Sequence, residues 1–342
     1  MPAMLKKLFR FIPYLLIAGL FFLNSYVIIP NPVSFPSGTS IPVWQNKCSF
    51  PIIAVGDLQR TSLRECIIMG RESNDYERKE VIENISEQNP GSVVLLGDMV
   101  FEGDNIDQWK YFDNLIAPIK RKKIPMFPVI GNHDLWGLNS LALRYMAKRF
   151  AVLERSHCYT QVSDSVALIF LDSNDGEYTK EQWQRQKNWF SNKLRLYNND
   201  PSIKGILVFA HHPPYTNSTV TGDEMQVQND FVPAFDSSKK TLAFITGHAH
   251  TYERFIKNGK TFIISGGGGG PRVTLKPNSE GHHDYYNGPS PRPFNYLLIN
   301  RKDDGLVITV RGVNKGSDKF FTLEQFTLLF YSTKNEYFSG IR

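Results

Sequence analysis

The sequence predicts an α/β layered fold behind an apolar N-terminal segment. Two observations carry the fold class. Six short apolar runs (PIIAVGD, SVVLLGD, IPMFPVIGNHD, SVALIFLDS, GILVFAHH and LAFITGH) each end in polar residues. Runs this short and this continuously apolar suit strands buried on both faces. Helical patterns lie between several of them, and strands alternating with helices argue an α/β fold. With 342 residues the chain can bury a large core without disulfide or metal staples.

Residues 11 to 29 (FIPYLLIAGLFFLNSYVII) hold no charge and follow Lys6, Lys7 and Arg10. That length of apolar sequence is enough to span a bilayer as a helix. The text after Phe22 offers no small-residue cleavage pattern. Residues 1 to 30 are therefore expected to be an uncleaved signal anchor, with a cleaved signal peptide as the alternative. Either reading puts the rest of the chain outside the cytoplasm, periplasmic or extracellular, anchored or secreted. Residues 31 to 47, rich in proline, read as a linker. One domain is expected over residues 48 to 331, followed by a tail, 332 to 342.

Within that domain, residues 75 to 88 (DYERKEVIENISEQ) read as a helix. Residues 179 to 197 carry Trp183, Trp189, Phe190 and Leu194 in a polar background, an amphipathic stripe. The last third changes character. Asn258-Gly259 between two apolar runs is a hairpin signal. Residues 295 to 300 and 305 to 311 flank Lys302-Asp303-Asp304 as a second hairpin. Residues 320 to 331, rich in Phe and Leu, could close a sheet.

Composition excludes several classes. A mean hydropathy of −0.30 rules out a polytopic membrane protein. Three cysteines (Cys48, Cys66 and Cys158) exclude a disulfide scaffold. The net charge is +6, of which Lys6, Lys7 and Arg10 supply three. The remainder is too mild to argue for nucleic acid, so no nucleic-acid partner is expected.

The chemistry sits where the runs end. Asp57 and Gln59 follow the first, and Asp98 the second. Asn132, His133 and Asp134 follow the third, His211 and His212 the fifth, and His248 and His250 the sixth. Functional groups gather at the carboxyl ends of strands in open α/β sheets. Carboxylate, amide and imidazole are the ligands of borderline divalent metals. No cysteine stands among them, against a structural zinc site.

In this order GD(L)Q, GD, GNHD, HxP and GHxH resemble the calcineurin-like metallophosphoesterases over roughly residues 51 to 270. The stretch Gly247–Arg254 (GHAHTYER) and the glycines after Ile264 are similar to purple acid phosphatases and their bacterial relatives. The resemblance implies a four-layer αββα sandwich, two packed mixed β-sheets flanked by helices. It also implies two divalent metal ions (Mn, Fe, Zn or Mg) and a bridging hydroxide that hydrolyses a phosphomonoester or phosphodiester. By resemblance Asp98 bridges the metals, Asp57 and His250 hold the first, and Asn132, His211 and His248 the second. His133 faces the scissile phosphate as general acid or hydrogen-bond donor, and Asp134 orients it. His212 either supports a ligand, lies near substrate or is merely packed.

Two positions depart from the pattern. The first motif commonly reads Asp-x-His, and here Gln59 takes the histidine's place. Purple acid phosphatases instead carry a tyrosine three residues after the bridging aspartate, where this chain has Phe101. Gln59 either ligates through its amide oxygen, acts through a water, or only shapes the pocket. An oxygen donor favours Mn or Mg at the first site. Residues 271 to 293 form a long polar loop, either substrate-facing or plain surface. Arg254 reads as the partner of a nearby acid. The expected substrate is a small phosphoester, a phosphoprotein or a lipid phosphate. Two alternatives remain: a catalytically weakened binding protein that kept the fold, and a hydrolase of lipid-linked phosphates.

Overall fold

The computed structural model describes residues 47 to 331. The expected signal anchor, nearly all of the linker and the tail lie outside the described residues. Among the described residues no helix is long and apolar enough to cross a membrane.

Twelve strands are described: β1 (Ile52–Val55), β2 (Ser92–Leu95), β3 (Met126–Pro128), β4 (Tyr159–Ser163), β5 (Val166–Phe170), β6 (Gly205–Phe209), β7 (Thr241–Thr246), β8 (Tyr252–Lys257), β9 (Lys260–Ser265), β10 (Phe294–Lys302), β11 (Gly305–Val313) and β12 (Phe321–Leu329). They form two mixed six-stranded sheets, ordered β12-β11-β10-β1-β2-β3 and β4-β5-β6-β7-β9-β8. All six apolar runs are strands. β1, β2 and β3 pair in parallel, as do β5, β6 and β7. Parallel neighbours present their carboxyl ends on one side, which gathers the polar residues that follow them.

Alternation explains why these runs are apolar throughout. In the second sheet Leu168, Phe170, Leu207, Phe209, Ala243 and Ile245 join one core with Ile53, Leu297 and Ile308 of the first sheet. Their neighbours Ala167, Ile169, Ile206, Val208 and Phe244 join a second core with Phe190, Leu194 and Phe231. Successive side chains point to opposite faces, so each strand fills the space between the sheets and the space under the helices.

The helix Lys180–Asn199 starts at a capping box of Thr179 and Gln182, and it buries Trp183, Gln186, Phe190, Leu194 and Tyr197. The helix Asp75–Glu87 buries Val81, Ile82 and Ile85. Asn258 and Gly259 join β8 to β9 with φ of 52° and 73°, the two positive values that such a turn demands. β10, β11 and β12 pair antiparallel in series. β4 has no apolar run to announce it: it is an antiparallel edge strand carrying Thr160 and Gln161.

Candidate metal centre

The strand ends turn sharply at the residues that carry the chemistry. Asp57, Asp98, His248 and His250 all have positive φ, at 63°, 52°, 68° and 47°. Such non-glycine conformations cost about 1–3 kcal/mol each and cluster at functional sites. Glycine supplies the clearance. A Cβ on Gly131 would stand 2.2 Å from both the amide nitrogen and Oδ1 of Asp98, and one on Gly97 would stand 2.5 Å from His211 Nδ1.

The donor atoms converge in two halves that share Asp98. In one half, donor atoms of Asp57, Asp98 and His250 lie within 4.8 Å of one another. His250 Nε2 is 3.4 Å from Asp57 Oδ1. The Gln59 amide nitrogen donates to Asp98 Oδ2 at 3.1 Å and lies 3.0 Å from His250 Nε2. In the other half, His211 Nε2 faces Asn132 Oδ1 at 3.1 Å, His248 Nδ1 at 3.2 Å and Asp98 Oδ1 at 3.4 Å. Every residue singled out from the sequence as a metal ligand is in this assembly.

Backbone carbonyls set the rings. A carbonyl only accepts, so His211 Nδ1–H donates to Leu96 O at 2.7 Å and His250 Nδ1–H to Pro271 O at 2.9 Å. The Nε2 atoms of both rings then face the cluster. His212 lies beside His211 and His248, with its Nδ1 2.8 Å from Ser173 Oγ. That hydroxyl also accepts the backbone N–H of His211 and of His212.

His133 donates its backbone N–H to Asp98 Oδ1 at 2.9 Å and its Nδ1–H to Phe101 O at 3.0 Å. Its ring lies 4.8 Å from the Phe101 ring and 3.9 Å from that of Trp136. Asp134 has a different job from the expected one. Its carboxylate accepts backbone N–H bonds from Gly131 at 2.9 Å, Met99 at 2.8 Å and Val100 at 3.2 Å. It ties the loop after β2 to the loop after β3, and Phe101 O takes the place beside the His133 ring.

Charge is unbalanced here. Asp57 and Asp98 are 0% and 1% exposed. Among the described residues, their side-chain partners are backbone N–H groups, imidazoles and the Gln59 amide. Burial pushes the Asp57 carboxyl well above its usual range. Burial also pushes Asp98 up, but the charges of His211 and His133 outweigh it and hold Asp98 low. Burial pulls His211 down, and Asp98 reverses this and lifts it to about 9. Burial lowers His250 to about 4, and burial with the His212 and His211 charges holds His248 well down.

A sequence profile described as calcineurin-like phosphoesterase matches residues 50–252. The chain belongs to the calcineurin-like phosphoesterase family. Membership makes it a metallophosphoesterase, a hydrolase of phosphoric esters, and implies a dinuclear divalent metal site. Solved structures share the fold of this phosphoesterase. GAP50, described as the anchor in the inner membrane complex of Plasmodium, is 16% identical over 85% of this chain and 94% of its own, with a TM-score of 0.61. The purple acid phosphatase PPD1 from yellow lupin (Lupinus luteus) seeds is 16% identical over 81% of this chain and 53% of its own, with a TM-score of 0.59. A dimetal phosphatase from Danio rerio is 15% identical over 82% of this chain and 98% of its own, with a TM-score of 0.54. Each of these likenesses is one of fold. The curated proteins contain no match.

The residues present suit a metal pair. Imidazoles ligate in the neutral form, the form in which burial holds His248 and His250. Gln59 Oε1 is buried without a hydrogen-bond partner, and a half-turn of the amide exchanges it with Nε2 between Asp98 and His250. Several supporting residues carry no signal in the sequence. Ser173 and the carbonyls of Leu96, Phe101 and Pro271 act through geometry alone. Arg78 is fully buried and donates to the carbonyls of Gln59 and Gly269, each at 2.9 Å, yet it reads as an ordinary helix residue. Trp136 had a visible cue, its place directly after GNHDL. The long loop touches the cluster through Pro271, and Arg272 ties it to Glu72 at 2.8 Å. Arg254 pairs with Glu324, as its reading anticipated.

Proposed function

We propose that this phosphoesterase hydrolyses a phosphomonoester or phosphodiester outside the cytoplasm. Two divalent ions would be held by Asp57, Gln59, Asp98 and His250 on one side and by Asp98, Asn132, His211 and His248 on the other. The observation that carries the reading is the convergence of these donors around two buried carboxylates which, among the described residues, pair with no lysine or arginine. A metal pair bound here supplies a hydroxide nucleophile near neutral pH and positive charge for the phosphate oxygens.

The chain's own contribution is order. Asp98 turns one oxygen to each half. His133 spends Nδ1–H on Phe101 O, which leaves Nε2 as the working atom. Through Nε2 it would give a proton to the departing alkoxide. Phe101 and Trp136 wall the ring and limit water around it. The oxygen-rich first half suits Mn or Mg, and the imidazole-rich second half suits Zn or Fe. The location outside the cytoplasm rests on the charge-free residues 11 to 29 and the basic residues before them.

The test pairs elemental analysis with turnover of an aryl phosphate and a bis-aryl phosphate. His133→Ala should keep the metal content and lose about 10²–10⁴-fold in kcat, the usual share of general acid catalysis. A chain that loads two metals yet turns over neither ester would be a binding protein on this fold.

A further inference from the structure

Five of the six apolar runs end in residues of the metal cluster. The fourth, which becomes β5, ends in Asp172, Ser173 and Asn174. All three are buried. The Asp172 carboxylate accepts the Tyr178 hydroxyl at 2.6 Å and the Asn174 amide at 2.7 Å, and it faces His157 Nδ1 at 3.2 Å. The Asn174 amide also donates to Ile130 O at 3.0 Å, in the loop after β3. Ser173 lies between these two anchors in sequence. Its Oγ accepts the backbone N–H of His211 at 3.2 Å and of His212 at 3.0 Å. A hydroxyl has two lone pairs and one hydrogen. Both lone pairs are used, so the remaining contact, 2.8 Å to His212 Nδ1, uses the hydrogen. Nδ1 accepts and carries no proton. The single proton of the neutral ring therefore sits on Nε2.

We infer that His212 is a substrate-contacting residue, whose fixed Nε2–H donates to an oxygen that stays on the phosphorus. The inference rests on the phosphoesterase reading and adds a donor to that site. A ring nitrogen of His212 lies within 4.8 Å of ligand atoms of His211 and His248. Its ring centre is 4.5 Å from that of His248 and 4.8 Å from that of His211. Proximity alone would suit a third imidazole ligand, but the hydrogen bonds exclude it. A ligating imidazole offers a lone pair to the ion. Here the Nδ1 lone pair is taken by Ser173, and Nε2 carries the proton. His212 is 8% exposed, and among the described residues its Nε2 has no hydrogen-bond partner. One oriented donor is thus left unspent beside the second half of the cluster. Phosphate is rich in strong acceptor oxygens. A phosphate drawn to Asn132, His211 and His248 would bring such oxygens beside this ring. The two histidines then divide the ester between them: His133 serves the departing oxygen, and His212 a phosphoryl oxygen that remains.

The experiment uses the full chain loaded with zinc, a closed-shell ion, with inorganic phosphate as the probe. Nitrogen-15 spectra of the histidine rings should show His212 with a bare Nδ1 and a proton on Nε2, its signals assigned by their absence in His212→Gln. Added phosphate should shift the Nε2–H signal. A proton on Nδ1, or no shift on adding phosphate, overturns the inference. Substitution then separates contact from packing. His212→Phe keeps a flat ring and removes the donor. It should retain the parent's zinc content while phosphate binds about 10- to 100-fold more weakly, the usual share of a hydrogen bond to a charged group. His212→Gln, whose side-chain N–H can take the place of Nε2–H, should restore most of that affinity. Loss of a zinc ion in either variant would make His212 a ligand and overturn the inference. So would a phosphate affinity unchanged in both variants, or lowered equally in both. None of these readouts needs turnover. A chain that binds phosphate through His212 but hydrolyses neither aryl ester keeps the contact and sinks the phosphoesterase reading. Turnover in His212→Phe with the parent's phosphate affinity sinks the contact alone.

Discussion

Asp57 and Asp98 at the strand ends are buried as deeply as Glu253 on β8 and Asp284 in the long loop, at 0% and 1% against 0% and 4% exposed. Their surroundings differ. Asp284 pairs with the Arg292 guanidinium at 2.7 Å and accepts the backbone N–H of Arg254 and of Tyr286. Glu253 accepts the Thr216 hydroxyl at 2.7 Å and the Asn217 N–H at 2.8 Å. Among the described residues the first pair meets only imidazoles, backbone N–H groups and one amide. Where the chain supplies a cation or hydroxyl, a buried acid holds structure. Where it supplies imidazoles, an amide and backbone N–H groups around a shared centre, the acid suits a metal ion. Burial alone does not distinguish the two; the partners do.

The sharpest way to break this contrast is Asp57→Asn. Metal-assisted charge stabilisation is worth several kcal/mol, so turnover should fall on the order of 10³–10⁴-fold. The amide oxygen still accepts the His248 N–H, so the metal-free chain should melt higher at neutral pH, because burial had disfavoured the charged carboxylate. Asp284→Asn should do the reverse. It leaves Arg292 buried and unpaired, at a cost of about 3 kcal/mol or more in chemical denaturation, while aryl phosphate turnover stays near the parent's. If both variants shift activity and stability alike, the two pairs of acids are not different in kind.

A smaller effect separates them by pH. Burial raises Glu253 from the ordinary 4.5 to about 7, against the bonds from Thr216 and Asn217. The folded state therefore holds a proton that the unfolded state releases. That stabilisation is full below 4.5 and is lost as pH rises through about 7. At 1.36 kcal/mol for each pH unit the loss is at most about 3.4 kcal/mol. Glu253→Gln should flatten the fall in unfolding free energy between about pH 5 and about pH 8. An unchanged slope would assign the pH dependence to other groups.

The strand ends were legible because each donor follows a buried run, so one pattern marked both the strand and the site. The Asn258-Gly259 turn was legible for the same local reason. The division into two sheets was legible only through the family resemblance, because a run apolar on both faces reads alike in either sheet. Only the structure separates Leu168 and Phe170, between the sheets, from Ala167 and Ile169, under the helices. For Asp134 the family resemblance gives way to local geometry: its carboxylate serves backbone N–H groups instead of the His133 ring. Residues His133–Leu135 form a 3₁₀ turn, whose successive side chains diverge by about 120°. Neighbours there serve different partners.

Gln59 leaves the finest contrast, between the two halves of the cluster. Its amide nitrogen faces Asp98 Oδ2 and its Oε1 is buried without a partner. With no cation bound, that orientation gives the carboxylate a hydrogen bond. A cation held by Asp98 and His250 would favour the amide oxygen instead, and a half-turn of the Gln59 amide supplies it. The oxygen is a weaker donor to zinc than imidazole, so Gln59→His should tighten zinc at the first half by about tenfold and turn its preference away from manganese. Gln59→Ala should loosen the first half while the second, built from Asn132, His211 and His248, keeps its ion. Competitive chelator titrations with zinc and manganese read both affinities in one chain. If neither variant moves the weaker affinity, Gln59 only shapes the pocket, and the first half binds through Asp57, Asp98 and His250 alone.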